Sequence, residues 1–247
     1  MEKLAAGAKR IGLDLTPQQL EQFQVYYEEL VAWNRRLNLT TIVEYEEVQI
    51  KHFLDSLTVA LVLPDIRPSS RLRLLDLGAG AGLPGVPLKI IRPEIELVLL
   101  DSVAKKATFL HHLVGRLGLE GVEVVTARAE ELARQPTYRE GFDAVVSRAV
   151  ARMPTLAELG LPLCRVGGAL IAQKKGEVTE EIEKAAPAIE VLGGRLREVK
   201  RLDLEELGEE RSLVVIEKVS PTPQSYPRRP GLPSRRPLLS SANASHP

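Results

Sequence analysis

A glycine-rich segment after a short apolar run carries the clearest chemical signal in the sequence. Residues 74–77 have the pattern of a buried strand, and residues 78–85 follow with glycines that have no side chain to block a ligand. Such a loop, at the carboxyl end of a parallel strand, is where α/β sheets bind nucleotides. Residues 80–85 also match G-x-G-x-x-G, a weak motif when it stands alone, and a dinucleotide site is the obvious alternative.

An acidic residue just before this loop favours a cationic ligand. Asp76 would lie beside the N-terminus of the following helix, where a dinucleotide places its pyrophosphate, and the carboxylate would repel that group. S-adenosylmethionine has no phosphate and carries a sulfonium and an ammonium, which suit an acidic neighbour. The alternative is that Asp76 only caps the loop by accepting backbone N–H groups.

Polar residues at the ends of three later apolar runs suit the same site. Asp101 would reach the ribose hydroxyls of an adenosine, although NAD-binding domains use this device too and a helix cap is the alternative. Backbone near Ala129 and the Glu130 side chain would read the adenine edge, unless Glu130 only complements a helix dipole. Arg148 would be buried near the reaction zone, where it needs a carboxylate or an anionic ligand as its partner. We take Arg148 as the candidate for a residue between cofactor and target.

Alternating strand and helix patterns position these residues. The spacing predicts βαβ units, a mostly parallel sheet with helices on both faces, and a hairpin of the last two strands at one edge. The predicted strands are residues 73–77, 97–100, 123–126, 144–147, 169–173, 196–201 and 213–218. The predicted helices lie near residues 85–91, 102–118, 155–165 and 177–192.

The two ends of the chain differ from this α/β pattern. Thr16, Pro17 and Gln19 open a helix with a capping box, and a second helix is predicted over residues 45–63. The chain therefore divides into a small helical subdomain, residues 1–64, a sheet domain, residues 65–220, and a tail, residues 221–247. The tail is basic and rich in proline, so we expect it to be irregular and docked on the body through Tyr226.

Composition excludes several classes of protein. The single cysteine, Cys164, allows no intramolecular disulfide and no metal site built from paired cysteines, and it is expected in the core rather than as a nucleophile. The N-terminus lacks the apolar stretch of a signal peptide, and no apolar run is long enough to span a bilayer. We therefore expect a cytoplasmic protein with no metal, no membrane contact and no stable protein partner.

Overall charge indicates no partner, because 33 basic residues balance 33 acidic ones. Contact with the phosphates of a nucleic acid would then depend on local basic side chains, and a solvated surface charge is the alternative for each of them. The candidates are Arg35, Arg36, Lys105, Lys106, Lys174, Lys175, Arg228 and Arg229.

The sequence resembles the class I methyltransferases and, within them, the RsmG family, also called glucose-inhibited division protein B. An ordered set of motifs between about residues 20 and 238 carries the resemblance. They are residues 33–40, 52–57, 76–85 with Pro87, 101–102 with 105–106 and 109–110, 128–131, 147–149, 175–176, 226–233 and 237–238. Leu83 stands where the family commonly has Phe, Lys105-Lys106 stands where Lys-Arg is common, and the segment between Glu131 and Phe142 is longer than usual. The last eight residues match nothing in the family.

The resemblance implies a Rossmann-like fold and S-adenosylmethionine-dependent methylation of guanine N7 in bacterial 16S rRNA. It also implies cofactor contacts at Gly78, Leu83, Ala129, Glu130 and Arg148, to which the reading of the residues adds Gly80 and Asp101. Guanine N7 carries no proton, so the reaction needs no general base and no catalytic residue is assigned. Two alternatives remain at this stage, an NAD(P)-dependent oxidoreductase on the same sheet and a non-catalytic ribosome-assembly factor.

Overall fold

A sheet of seven strands, in the order β3-β2-β1-β4-β5-β7-β6, runs through the computed structural model. The structure describes residues 1–64, 71–208 and 210–238. The strands are β1 (Arg73–Leu77), β2 (Glu96–Asp101), β3 (Val122–Thr126), β4 (Phe142–Arg148), β5 (Cys164–Lys175), β6 (Gly194–Leu202) and β7 (Arg211–Lys218). Each predicted strand lies within an observed one, so all seven predictions are confirmed.

The parallel part of the sheet brings several strand ends to one edge. β1 pairs in parallel with β2 and β4, β2 with β3, and β4 with β5. In the register, Leu77 lies opposite Leu100, and Arg148 lies opposite Gln173. β7 is antiparallel to both β5 and β6. This confirms the predicted hairpin of the last two strands, in which β6 is the edge strand and β7 lies between β6 and β5. The glycine turn after β1 and the last residues of β2 and β4, Asp101 and Arg148, therefore meet at the same edge.

Helices cover the sheet and form most of the first 64 residues. They are α1 (Glu2–Arg10), α2 (Pro17–Leu37), α3 (Tyr45–Val48), α4 (Asp55–Leu57), α5 (Gly85–Ile91), α6 (Ala104–Arg116), α7 (Ala129–Leu132), α8 (Met153–Gly160), α9 (Thr179–Val191) and α10 (Leu232–Arg235). The sequence did not indicate α1, α7 or α10. The predicted capping box of α2 is confirmed, because Thr16 and Gln19 exchange hydrogen bonds of 2.9 and 3.2 Å.

Two helical predictions need correction. The helix predicted over residues 45–63 changes its hydrogen bonding along its length, with a π-helical segment, Gln49–Leu54, between α3 and α4 and a 3-10 turn, Thr58–Leu61, after them. The helix predicted over residues 155–165 ends at Gly160. Pro162 has no N–H with which to continue that helix, and the chain turns there into β5.

Hydrophobic clusters form on both faces of the sheet, which confirms helices on both sides. Neighbouring residues of β1 point to opposite faces, so Leu74 belongs to one cluster and Leu75 to the other. The first cluster also contains Phe23 and Phe53 from the N-terminal helices, so these helices and the sheet share one core. Tyr226 packs against the second cluster, which confirms that the tail docks on the body.

The division of the chain into three parts stays a prediction, and residues 239–247 of the predicted tail lie outside the described residues. In the described ranges, no helix combines the length and apolar character needed to cross a bilayer.

Replacing Phe53 tests the shared core. Phe53 is fully buried, and its ring centroid lies 5.0 Å from that of Phe23 and 4.9 Å from that of Tyr26. We expect Phe53→Ala to lower the free energy of unfolding by about 3–5 kcal/mol, because it leaves a cavity between these rings. Urea unfolding should still show a single transition. Val43→Ala, at a side chain that is 41% exposed, should change stability by less than about 0.5 kcal/mol. Two separate transitions would contradict a shared core.

Candidate active site

The turn after β1 requires glycine for two reasons: its backbone has positive φ angles, and a neighbouring side chain leaves no room for a Cβ. Gly78 has φ 75° and Gly80 has φ 57°, in the left-handed region that favours glycine. The N–H groups of Gly78 and Ala79 both donate to the carbonyl of Leu100, at 2.9 Å each. A Cβ on Gly78 would lie 2.5 Å from Cγ2 of Val150. The turn therefore follows the end of β2 closely and leaves its outer side open.

Asp76 does not face a cationic ligand, as the sequence interpretation favoured, so this part of the interpretation is wrong. Its side chain is fully buried beneath the turn, and its Oδ2 accepts the N–H of Gly85 at 2.7 Å. The capping alternative is the observed one. Burial raises the pKa of Asp76 to about 7, although the Gly85 hydrogen bond and the charge of Arg148 oppose the rise.

Asp101 is the carboxylate that lies at the surface of the site. Its Oδ2 accepts the N–H of Gly80 and its Oδ1 accepts the N–H of Val103, each at 2.9 Å. Lys106 approaches Oδ2 to 3.8 Å. Asp101 thus caps two backbone segments and also forms part of the wall of a cavity.

Two adjoining cavities lie at this edge of the sheet. The first, of about 450 Å³, extends from the glycine turn to Arg148, and the second, of about 190 Å³, extends to Ala129 and Glu130. Gly78 and Asp101 line both cavities. The structure places all seven predicted cofactor contacts on these walls, namely Gly78, Gly80, Leu83, Asp101, Ala129, Glu130 and Arg148. Their role in binding stays a prediction.

The Glu130 carboxylate already has a partner within the chain. Glu130 is buried in the first turn of α7, and its Oε1 accepts the N–H of Gly231 at 2.8 Å. Gly231 belongs to the C-terminal tail and lines the second cavity as well. Sequence reasoning missed this contact, because nothing in the local pattern links two residues so far apart in the chain.

Arg148 is partly buried, with its side chain 18% exposed, and it has a carboxylate partner. One Nη1 donates to Oδ2 of Asp55 and to the carbonyl of Lys51, at 3.1 Å each. Asp55 is itself buried, and its other oxygen lies 3.4 Å from Nε of Arg211. The pair joins the N-terminal helical region to the end of β4. Asp55 was missed as a site residue, although it belongs to the motif at residues 52–57.

A third cavity, of about 390 Å³, adjoins the first one through His52, Arg148 and Ala149. Its walls are mainly basic, with one acidic side chain, Asp55. The basic residues are Lys51, Arg148, Lys174, Lys175 and Arg211. The π-helical segment brings Lys51 and His52 to this wall, which agrees with the frequent use of π-helical turns at functional sites. Lys51 and Arg211 were not predicted, since neither has a local motif.

His52 lies between the first and third cavities as a neutral side chain. Burial, followed by the charge of Arg148, lowers its pKa from 6.5 to about 4. Its Nε2 lies 2.8 Å from the hydroxyl oxygen of Thr40. Neutral histidine adds no positive charge beside Arg148, so the guanidinium is the main cation at this junction.

The predicted RNA contacts fall into three groups. Lys106 and Lys175 lie on cavity walls. Arg35, Arg36, Lys105 and Arg229 are exposed. Two of the candidates make strong internal contacts: Lys174, which also lines the third cavity, donates through Nζ to the Ala151 carbonyl and to Glu181, and the Arg228 guanidinium pairs with buried Glu158. The structure therefore supports an internal role for Lys174 and Arg228, because their charges are already compensated. No cluster of three or more His, Cys, Asp or Glu that could hold a metal occurs in the described part of the chain.

Comparisons with known proteins agree with this geometry. The model of the family rRNA small subunit methyltransferase G matches residues 19–214. A ribosomal RNA small subunit methyltransferase G of Dehalococcoides mccartyi is 51% identical over 239 residues, which are 97% of this chain and 100% of that protein. Its namesake in Roseiflexus castenholzii is 49% identical over 239 residues, with the same two coverages of 97% and 100%.

Solved structures share the fold at low sequence identity. A mutant of MtNAS in complex with S-adenosylmethionine superposes with a TM-score of 0.54 at 16% identity, over 82% of this chain and 72% of that one. The [4+2]-cyclase SpnF superposes with a TM-score of 0.51 at 15% identity, over 68% and 82%. Together with the strand order, these likenesses confirm the predicted Rossmann-like fold.

The low pKa of His52 predicts a specific pH dependence of stability. Because the pKa of about 4 in the folded protein lies below the ordinary histidine pKa of 6.5, the unfolded chain binds this proton first as the pH falls. The contribution is present above about pH 6.5 and is lost between about pH 6.5 and about pH 4. We expect urea unfolding of His52→Gln to show a flatter pH dependence in this window than the parent protein. Identical pH profiles would contradict a buried, neutral His52.

Proposed function

Because this chain belongs to the rRNA small subunit methyltransferase G family, we propose that it transfers a methyl group from S-adenosylmethionine to N7 of a guanine in 16S rRNA. The observation that carries the proposal is the pair of adjoining cavities at the glycine turn, whose walls hold the seven residues predicted to bind the cofactor. The basic third cavity beside them provides a place for the nucleotide to be methylated.

The residues at the turn fit S-adenosylmethionine better than a dinucleotide. A pyrophosphate would need the free N–H groups at the start of α5, but the N–H of Gly85 is already bound by Asp76. The wall of the first cavity includes Asp101, whose carboxylate suits a cationic ligand and ribose hydroxyls. The first cavity also falls in the range of about 300–1,000 Å³ that is usual for small-ligand sites. These observations disfavour the oxidoreductase alternative, because its dinucleotide would lack the N–H groups that bind a pyrophosphate.

The chemistry asks the protein for orientation rather than proton transfer. When bound, S-adenosylmethionine supplies an electrophilic methyl group, and guanine N7 offers a lone pair with no proton to remove. The chain must align the two reactants and exclude water. Arg148 cannot act as a base, because its guanidinium keeps its proton and is held by Asp55. We assign Arg148 to the boundary between cofactor and target base, where its remaining N–H groups can orient an acceptor.

The arrangement of basic residues supports RNA as the substrate. Lys51 and Lys175 line the third cavity, and Lys106 lines the first. Phosphate groups on both sides of a target nucleotide would meet these charges, in the manner usual for RNA recognition by shape and charge. We propose as RNA contacts Arg35, Arg36, Lys105, Lys106, Lys175 and Arg229. Because the proposed substrate is rRNA, we propose the cytoplasm as the location of the protein. We also keep residues 1–64, 65–220 and 221–247 as the proposed structural units.

Methyl transfer to 16S rRNA from a strain that lacks this gene tests the function directly. With labelled S-adenosylmethionine, we expect the methyl group on one guanine at N7, located by mass mapping of the RNA. Asp101→Ala should weaken S-adenosylmethionine binding about tenfold or more, because it releases the Gly80 backbone and removes the acidic wall. Glu94→Ala is the control for loss of a carboxylate, at an exposed residue in the turn before β2. Tight cofactor binding without any transfer to small-subunit RNA would favour the assembly-factor alternative.

A single lysine tests the RNA surface. Lys175→Ala removes one charge from the wall of the third cavity. We expect KM for RNA to rise while the affinity for S-adenosylmethionine is unchanged, and the slope of log KM against log salt concentration to fall by about 1. Lys9→Ala, at an exposed lysine that lines none of the three cavities, is the control for charge alone. Equal effects of the two substitutions would reject this surface.

A further inference from the structure

β7 ends at the edge of the sheet opposite the cavities, and the described part of the C-terminal tail, residues 221–238, runs from there back to the second cavity. Gly231 and Ser234 lie on the wall of that cavity, together with Ala129 and Glu130 of α7. The cavity is therefore closed on one side by a segment that follows the last strand in the sequence. No residue of this segment belongs to the seven contacts proposed above.

An ion pair anchors this segment to α8. Glu158 is fully buried, and the backbone N–H of Arg228 donates to its Oε1 at 2.8 Å. The Arg228 side chain donates two more hydrogen bonds, from Nε to Oε1 at 2.9 Å and from Nη2 to Oε2 at 2.5 Å. A buried carboxylate is costly unless it is paired, and a two-pronged arginine contact is the geometry that satisfies it. The arrangement commits Arg228 to Glu158.

The anchor lies close to the cavity wall in sequence. Three residues after Arg228, the N–H of Gly231 donates to Glu130 at 2.8 Å, and Gly231 has φ 80°, which turns the chain into α10. Nη2 of Arg228 also donates to the carbonyl of Arg236, at 2.7 Å, on the other side of α10. One guanidinium thus fixes the start and the end of the segment that forms the wall.

Contacts before the anchor hold the rest of the tail on the same body. Arg134 donates to the carbonyl of Pro227 at 2.6 Å, and Arg139 donates to the carbonyls of Tyr226 and Thr222 at 2.9 Å each. These contacts keep the tail docked, but they lie outside the second cavity. Within the segment that reaches the cavity, Thr155 Oγ1 also donates to the Pro233 carbonyl at 3.2 Å, while the Arg228–Glu158 pair holds its two ends.

We propose that Arg228 and Glu158 form a positioning pair for the cofactor site, and that the tail segment with Gly231 and Ser234 closes the pocket over the nucleoside end of S-adenosylmethionine. The inference rests on the proposed function, because the ligand of the second cavity is the cofactor of that reaction. It assigns Arg228 to positioning of the cofactor site through the tail, in place of the phosphate contact that its sequence context suggested. The apolar residues Leu77, Leu100 and Leu159 complete a wall suited to a planar base.

Cofactor affinity measured without RNA separates the two roles of Arg228. We expect Arg228→Ala to raise the Kd of S-adenosylmethionine roughly tenfold, with a smaller rise for Arg228→Lys, which keeps the charge but loses the two-pronged contact. Activity at saturating cofactor should stay within about twofold of the parent, since the reacting groups are unchanged. Arg235→Ala, an exposed arginine of the same tail, should leave the Kd unchanged.

A second variant does not depend on the buried pair. Ser234→Phe, at an exposed position on the cavity wall, should fill the pocket and raise the Kd of S-adenosylmethionine roughly tenfold without disturbing the fold. It keeps the inference testable if Arg228→Ala does not fold. If Arg228→Ala raises only KM for RNA and Ser234→Phe has no effect, the tail is not part of the cofactor site. If the parent protein fails to bind S-adenosylmethionine, the proposed function itself is rejected.

Discussion

Hydrogen bonds that two carboxylates accept from backbone N–H groups hold the glycine turn in place, and the site depends on them. Asp76 binds the N–H of Gly85 from below, and Asp101 binds the N–H of Gly80 from the end of β2. A turn made of glycine and alanine has few side chains with which to fix its own shape, so the acids of two adjacent parallel strands determine it. The open cavity above the turn is the result.

The second constraint is the burial of Asp55 among cations. Asp55 pairs with Arg148 at the end of β4 and with Arg211 at the start of β7. Removing one member of such a group leaves a buried charge uncompensated, which is far more costly than losing a surface ion pair. The N-terminal helices are thereby held at the edge of the sheet where the cavities lie, and the π-helical segment adds Lys51 and His52 to the same place.

Local patterns predicted the strands well, because each is a short apolar run next to a turn. They also predicted which residues line the two cavities at the glycine turn, since parallel strands end together. The predicted role of Asp76 was wrong. The sequence pattern shows that an acid precedes the loop, but it does not show whether the side chain faces the ligand or is buried under the loop. Asp55 and Glu158 were missed as partners of Arg148 and Arg228, because pairs distant in the chain leave no periodic signal. The short helices α1, α7 and α10 are stabilised by tertiary contacts more than by their own sequences.

The position of β7 affects how the chain can be made. β7 is the last strand in the sequence, yet it lies between β5 and β6 and pairs with both. Until residue 218 has left the ribosome, one edge of β5 has no strand beside it, and unpaired strand edges of this kind promote aggregation of incomplete chains. Translation that stops before residue 211 would therefore release a product with most of its helices formed and an open sheet edge, a substrate for chaperones or proteases.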